Sequence, residues 1–80
     1  MTAAKSRSTK RAMRLSALQA ELDYLAGDDS ALAYLLQHAA QPTAEDYINL
    51  QWWGDPPEEF EGKYAEAIDT LKRLEAERSR

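Results

Sequence analysis

Residues 15–27 read LSALQAELDYLAG, and the spacing of their leucines decides the fold class. Leu15, Leu18, Leu22 and Leu25 recur at intervals of 3, 4 and 3, which places all four on one stripe of an α-helix. A strand would need alternation, and none is present. Gly27 follows directly and is expected to end the helix as a left-handed C′ residue. Working outward, the apolar pattern starts only after residue 8, so a helix is expected from about Thr9 to Ala26. Residues 1–8, MTAAKSRS, read as a flexible basic arm ahead of a single helical domain over 9–80.

The same periodicity recurs downstream. Asp28, Asp29 and Ser30 are all suited to cap a second helix, whose apolar positions are Leu32, Leu35, Leu36 and Ala39. Pro42 stops it near Ala40, because the residue before a proline is pushed out of the helical region. Thr43 with Asp46 resembles a capping box and opens a third helix over 44–53. Gly54-Asp55-Pro56-Pro57 is the strongest break in the chain. A fourth helix is expected straight after it, with Phe60, Tyr64, Ala67, Ile68, Leu71 and Leu74 on its apolar face. Glu58 and Glu59 would then sit at its positive end, and Gly62 is an uncomfortable interior residue.

This pattern predicts an all-α protein: a small helical bundle in which two longer helices pair antiparallel, with two short helices between them. Eighty residues suffice for one core, and the chain has no valine and only two isoleucines, too few β-branched residues for a sheet. The leucine stripes are expected to be core, with a dimer seam as the alternative.

The chain has no cysteine and one histidine, His38, so neither a disulfide framework nor a zinc site is expected. Catalytic residues, cofactors and metal ligands are expected to be absent. His38 lies near no Ser or Cys nucleophile at a motif spacing, and paired acids such as Glu58 and Glu61 or Asp28 and Asp29 are explained by helix capping. Gly-rich phosphate loops and calcium loops are missing. No apolar run is long enough to cross a membrane, which makes a cytoplasmic protein the expectation; the Arg- and Ser-containing start only loosely resembles an organelle transit peptide.

The net charge of −4 conceals a division. Residues 1–14 carry Lys5, Arg7, Lys10, Arg11 and Arg14 and no acid, leaving −9 on the remainder. From Leu15 to Gly62 there is no Lys or Arg, against ten acids. Surfaces with no charged partner usually mix the two signs, so this separation points to a binding partner or to self-association. The expected contact surface on a basic protein comprises Glu45, Asp46, Tyr47, Trp52, Trp53, Asp55, Glu58, Glu59 and Glu61. Adjacent tryptophans diverge by about 100° on a helix, so one indole is expected inside and the other partly exposed.

In size, acidity and lack of other motifs the chain resembles the small acidic anti-defence proteins of bacterial viruses, anti-CRISPR proteins among them. That likeness implies inhibition of a nucleic-acid-handling protein by an acidic surface that imitates phosphates. Two alternatives stand beside it. In one, the chain is a nucleic-acid accessory protein whose candidate phosphate contacts are Lys5, Arg7, Lys10, Arg11 and Arg14. The other is a structural, assembly or antitoxin-like protein that oligomerises through its leucines. Monomer and homodimer are both compatible with the sequence. Groove reading by helices 2 and 3 as a helix-turn-helix is disfavoured, because AEDYINLQWW brings two acids and no cation towards the phosphates.

Overall fold

A computed structural model describes the backbone of residues 2–79, and the side chains of 10 and 12–79. It is all-helical, with four helices among the described residues: α1 (Thr2–Ala26), α2 (Ser30–His38), α3 (Ala44–Trp52) and α4 (Gly62–Arg78). The helix starts seven residues before the Thr9 start read from the sequence, so it takes in the basic stretch as well.

Successive helices pack against one another, and α1 meets α4 to close the ring, giving an up-down-up-down arrangement. Ion pairs mark the antiparallel course of the two long helices. Arg14 Nε lies 3.2 Å from Glu77 Oε1 at one end, and Lys63 pairs with Asp28 at the other. The leucine stripes are core as expected: Leu22 and Leu25 of α1, Leu32 and Leu35 of α2, and Ala67, Ile68, Leu71 and Leu74 of α4 form one buried cluster with Ala44 and Tyr47 of α3. Leu15 and Leu18 are only half-buried at its edge.

The helix ends follow local chemistry. Among the three candidate caps Asp29 serves, its carboxylate accepting from the Leu32 amide at 3.2 Å. Thr43 Oγ1 accepts from the Asp46 amide at 3.0 Å, as the capping pattern implies. Two sequence expectations are corrected. Gly27 is not left-handed; α1 instead tightens into bonds three residues apart, from the amides of Gly27, Asp28 and Asp29 to the carbonyls of Tyr24, Leu25 and Ala26. The space there is close, since a Cβ on Gly27 would lie 3.2 Å from the Tyr24 carbonyl oxygen. The second correction concerns α4, which begins at Gly62 and not after the prolines. Gly62 has φ +58°, a left-handed value that interrupts any helix arriving from residue 56. Residues 53–61 are therefore a connecting loop, and Glu58 and Glu59 precede the helix without occupying its first turn.

The C-terminal turn of α4 fastens the opposite end of the bundle. Glu75 Oε2 accepts from the Ala44 amide at 3.0 Å, and Arg78 Nη2 donates to the Pro42 carbonyl at 2.6 Å. The α2–α3 turn is thus held by α4.

Candidate functional site: an acidic loop and an aromatic groove

The antiparallel order gives the molecule two chemically different ends. At one lie the N-terminal part of α1 and the C-terminal turn of α4, with Lys10, Arg14 and Arg78. At the other lie the C-terminal end of α3, the 53–61 loop and the start of α4, bearing Asp55, Glu58, Glu59 and Glu61, all exposed. Asp28 is also there, paired with Lys63; that hydrogen bond and the accompanying charge attraction hold the Asp28 carboxyl below its ordinary range and raise the Lys63 ammonium. Among the described residues the ion pairs are Arg14 with Glu77, Lys63 with Asp28 and Arg73 with Asp69. None of them involves an acid of the expected contact surface.

That surface is not a single patch. Glu45 and Asp46 occupy the first turn of α3, about 13 Å along its axis from the loop acids. Tyr47 is fully buried and therefore belongs to the core. Its hydroxyl donates to Asp29 Oδ2, and Gln51 Nε2 donates to the same carboxylate at 3.0 and 3.1 Å and to the Tyr47 oxygen at 3.0 Å. Burial first, then the adjacent Asp29 carboxylate, pushes the Tyr47 phenol well above its ordinary value. Asp29 thus joins the start of α2 to the end of α3, combining a helix cap with a buried hydroxyl partner.

The two indoles diverge. Trp52 is half-buried, edge-on to Tyr47 at 6.1 Å, tilted against Phe60 at 5.2 Å and edge-on to Tyr64 at 5.3 Å. Phe60 reaches the core from the loop, although it is not helical. Trp53 is 92% exposed and has φ 56°, ψ 34°, the left-handed region that costs a residue with a Cβ about 1 kcal/mol or more. It is the only such non-glycine residue among those described. It ends α3 and turns its ring out of the fold.

Beside Trp53 runs a groove of about 370 Å³ between the start of α2 and the end of α3, lined by Ser30, Ala31, Tyr34, Leu50, Gln51 and Trp53. Tyr34 and Leu50 are exposed, at 55% and 39%. Sequence reasoning singled out Trp53 but missed Leu50. No sequence signal marked it: Leu50 borders the inward face of α3 that Tyr47 and Gln51 define, and that face is visible only in the fold. His38 is exposed and stacks on Tyr34, with ring centroids 4.2 Å apart.

Neither a family model, nor a curated protein, nor a solved structure matches this chain. Its chemistry has to be read from its own residues.

Among the described residues no cluster of three or more His, Asp or Glu side chains is arranged to hold a metal ion. No helix among them is long and apolar enough to cross a membrane. Of the candidate phosphate contacts, Lys10 and Arg14 are exposed on α1, Arg14 being paired with Glu77. The side chains of Lys5, Arg7 and Arg11 lie outside the described residues.

Proposed function

We propose that this chain is a non-enzymatic binding protein that docks on a basic surface of another protein through the end of the bundle formed by Trp53 and the 53–61 loop. One observation carries the reading: an exposed indole in a left-handed backbone opens a loop that bears four exposed carboxylates, and none of those acids has a cationic partner among the described residues. A rigid aromatic ring next to uncompensated charge is the usual composition of a contact hot spot, with the acids steering the encounter. In its sharper form the partner handles nucleic acid, and the carboxylates occupy the places of phosphates, so that the protein acts as an inhibitor. Glu45 and Asp46 lie too far along α3 to share this contact and are assigned to charge at the positive end of that helix and to solubility.

The test compares the wild-type chain with the triple variant Trp53→Ala, Glu58→Gln, Glu59→Gln in capturing a basic protein partner from cell extract, with circular dichroism confirming equal helix content. Capture should be lost in the triple variant and weakened by salt. Equal capture by both proteins refutes the assignment of the face.

A second reading is supported by the course of α1. About 18 Å of helix N-terminal to Arg14 runs past the end of α4, carrying the chain's densest cation cluster away from the acidic body. As a nucleic-acid accessory protein the chain would bind phosphates there without sequence preference. A gel shift with nonspecific DNA that fades with salt and disappears when residues 2–11 are deleted supports this reading; no shift removes it.

A further inference from the structure

The basic segment and the groove lie at opposite ends of one elongated molecule, 49 Å long and 22 Å across. With α1 continuous from Thr2, the basic segment is carried away from the Tyr34, Leu50 and Trp53 groove, so it cannot reach the groove of its own molecule. It can reach the groove of another. We propose that this groove receives the basic N-terminal segment, residues 1–14, of a second copy of the chain, so that molecules associate head to tail.

Chemistry on both sides supports the match. The groove offers an exposed indole face at Trp53, a second ring at Tyr34, and Leu50 for the aliphatic stem of a long cationic side chain. Ser30 and Ala31 are small enough to admit a backbone close to the wall. None of the six lining residues is charged, and the charges that flank them in the chain are acids: neither α2 nor α3 contains a Lys or Arg, Asp29 precedes Ser30, and Asp55 follows Trp53 after one residue. The incoming segment carries five cations and no acid, and its intervening residues are largely small, with Met13 exposed at 64%. A guanidinium stacked on Trp53 would also give a role to a ring that contributes little to the fold.

Head to tail, each molecule places its segment on one neighbour and its groove on another, so the contact does not close as a reciprocal twofold exchange would. Self-association should therefore continue with concentration. It shares Trp53 with the proposed docking on another protein but is distinct from it, since it needs the groove and the N-terminal segment and not the loop carboxylates.

The test is sedimentation velocity on the full chain. Average mass should rise with concentration at low salt. The apparent dissociation constant should rise about tenfold or more between about 0.01 M and 0.15 M ionic strength, as the screening length shrinks from about 30 to 8 Å. Two variants separate the halves of the contact: Lys5→Glu, Arg7→Glu, Lys10→Glu, Arg11→Glu in the segment, and Leu50→Lys with Trp53→Lys in the groove. Each variant alone should remain monomeric at wild-type helix content. Mixed, they should form a dimer that grows no further, because one supplies the intact groove and the other the intact segment. A wild-type chain that stays monomeric at every concentration overturns the proposal. So does either variant associating as wild type does, or a mixture that stays monomeric. If one variant loses helix content, Trp53→Ala alone replaces the groove variant and Arg7→Ala with Arg11→Ala replaces the segment variant, with the same outcomes required.

Discussion

Replacing Asp29 with Ala removes one carboxylate from three partners: the Leu32 amide, the Tyr47 hydroxyl and the part-buried Gln51 side-chain amide. The α2 cap, with the Leu32 amide at 3.2 Å, is worth about 1 kcal/mol. The Tyr47 hydroxyl, on a residue with no solvent exposure, loses its acceptor, and stranding a buried donor costs about 1 to 3 kcal/mol. Together Asp29→Ala should cost about 2 to 4 kcal/mol, a large share of a total stability of about 5 to 15 kcal/mol. In a domain of this size about 3 kcal/mol corresponds to roughly 12 to 24 °C in Tm. Tyr47→Phe removes the hydroxyl itself and should cost about 1.5 kcal/mol, the worth of a hydrogen bond to a charged acceptor. The informative quantity is their combination. With Phe at 47 no buried hydroxyl is left stranded, so adding Asp29→Ala should cost only the cap and the part-buried Gln51 contact, about 1 to 2 kcal/mol. Urea unfolding of the four proteins gives the cycle directly. If Asp29→Ala costs the same in both backgrounds, within about 0.5 kcal/mol, the Tyr47 to Asp29 bond contributes nothing and the account of how α2 and α3 are joined is wrong.

Three further predictions rest on single features. Trp53→Gly should leave thermal stability unchanged or raise it by up to about 1 kcal/mol, because glycine relieves the left-handed strain and little of the indole is buried; a loss greater than about 1 kcal/mol would mean the ring has a folding role. Gly62→Ala should destabilise by about 1 to 2 kcal/mol in denaturant titration, since alanine is strained at φ +58°. A stabilisation of about 1 kcal/mol would instead place Gly62 inside a helix. Finally, the folded phenol of Tyr47 is raised above its unfolded value of about 10, so its contribution is complete below about pH 10 and is lost as pH climbs beyond that. Urea midpoints should fall more steeply above about pH 10 in the wild type than in Tyr47→Phe; parallel profiles would contradict the buried hydroxyl.

The core was legible because its signal is periodic. Leu22, Leu25, Leu71 and Leu74 repeat at helical spacing, and burial of that face is the cheapest way to remove it from water. Helix starts were legible wherever a side chain does the capping, as at Asp29 and Thr43. Boundaries controlled by backbone angle were not. Nothing in the letters distinguishes a left-handed Gly62 from one inside a helix, or shows that Gly27 would be passed without a positive φ. The candidate site was half legible. The charge division follows from composition, and the divergence of the two indoles from helix geometry. Tyr47 was misplaced because its hydroxyl looks polar in sequence; only the fold brings Asp29 and Gln51 within reach to satisfy it.

The ring of sequential helix contacts has a kinetic consequence. Each hairpin from α1 to α2, α2 to α3 and α3 to α4 joins stretches that are neighbours in the chain, so most of the search during folding is local. Only the seam between α1 and α4 bridges distant segments, and its closure carries the largest loop entropy. Proteins dominated by near-neighbour contacts fold in about microseconds to milliseconds, and this chain should belong to that fast class. Its three hairpins would form early, with docking of α4 onto α1 completing the core.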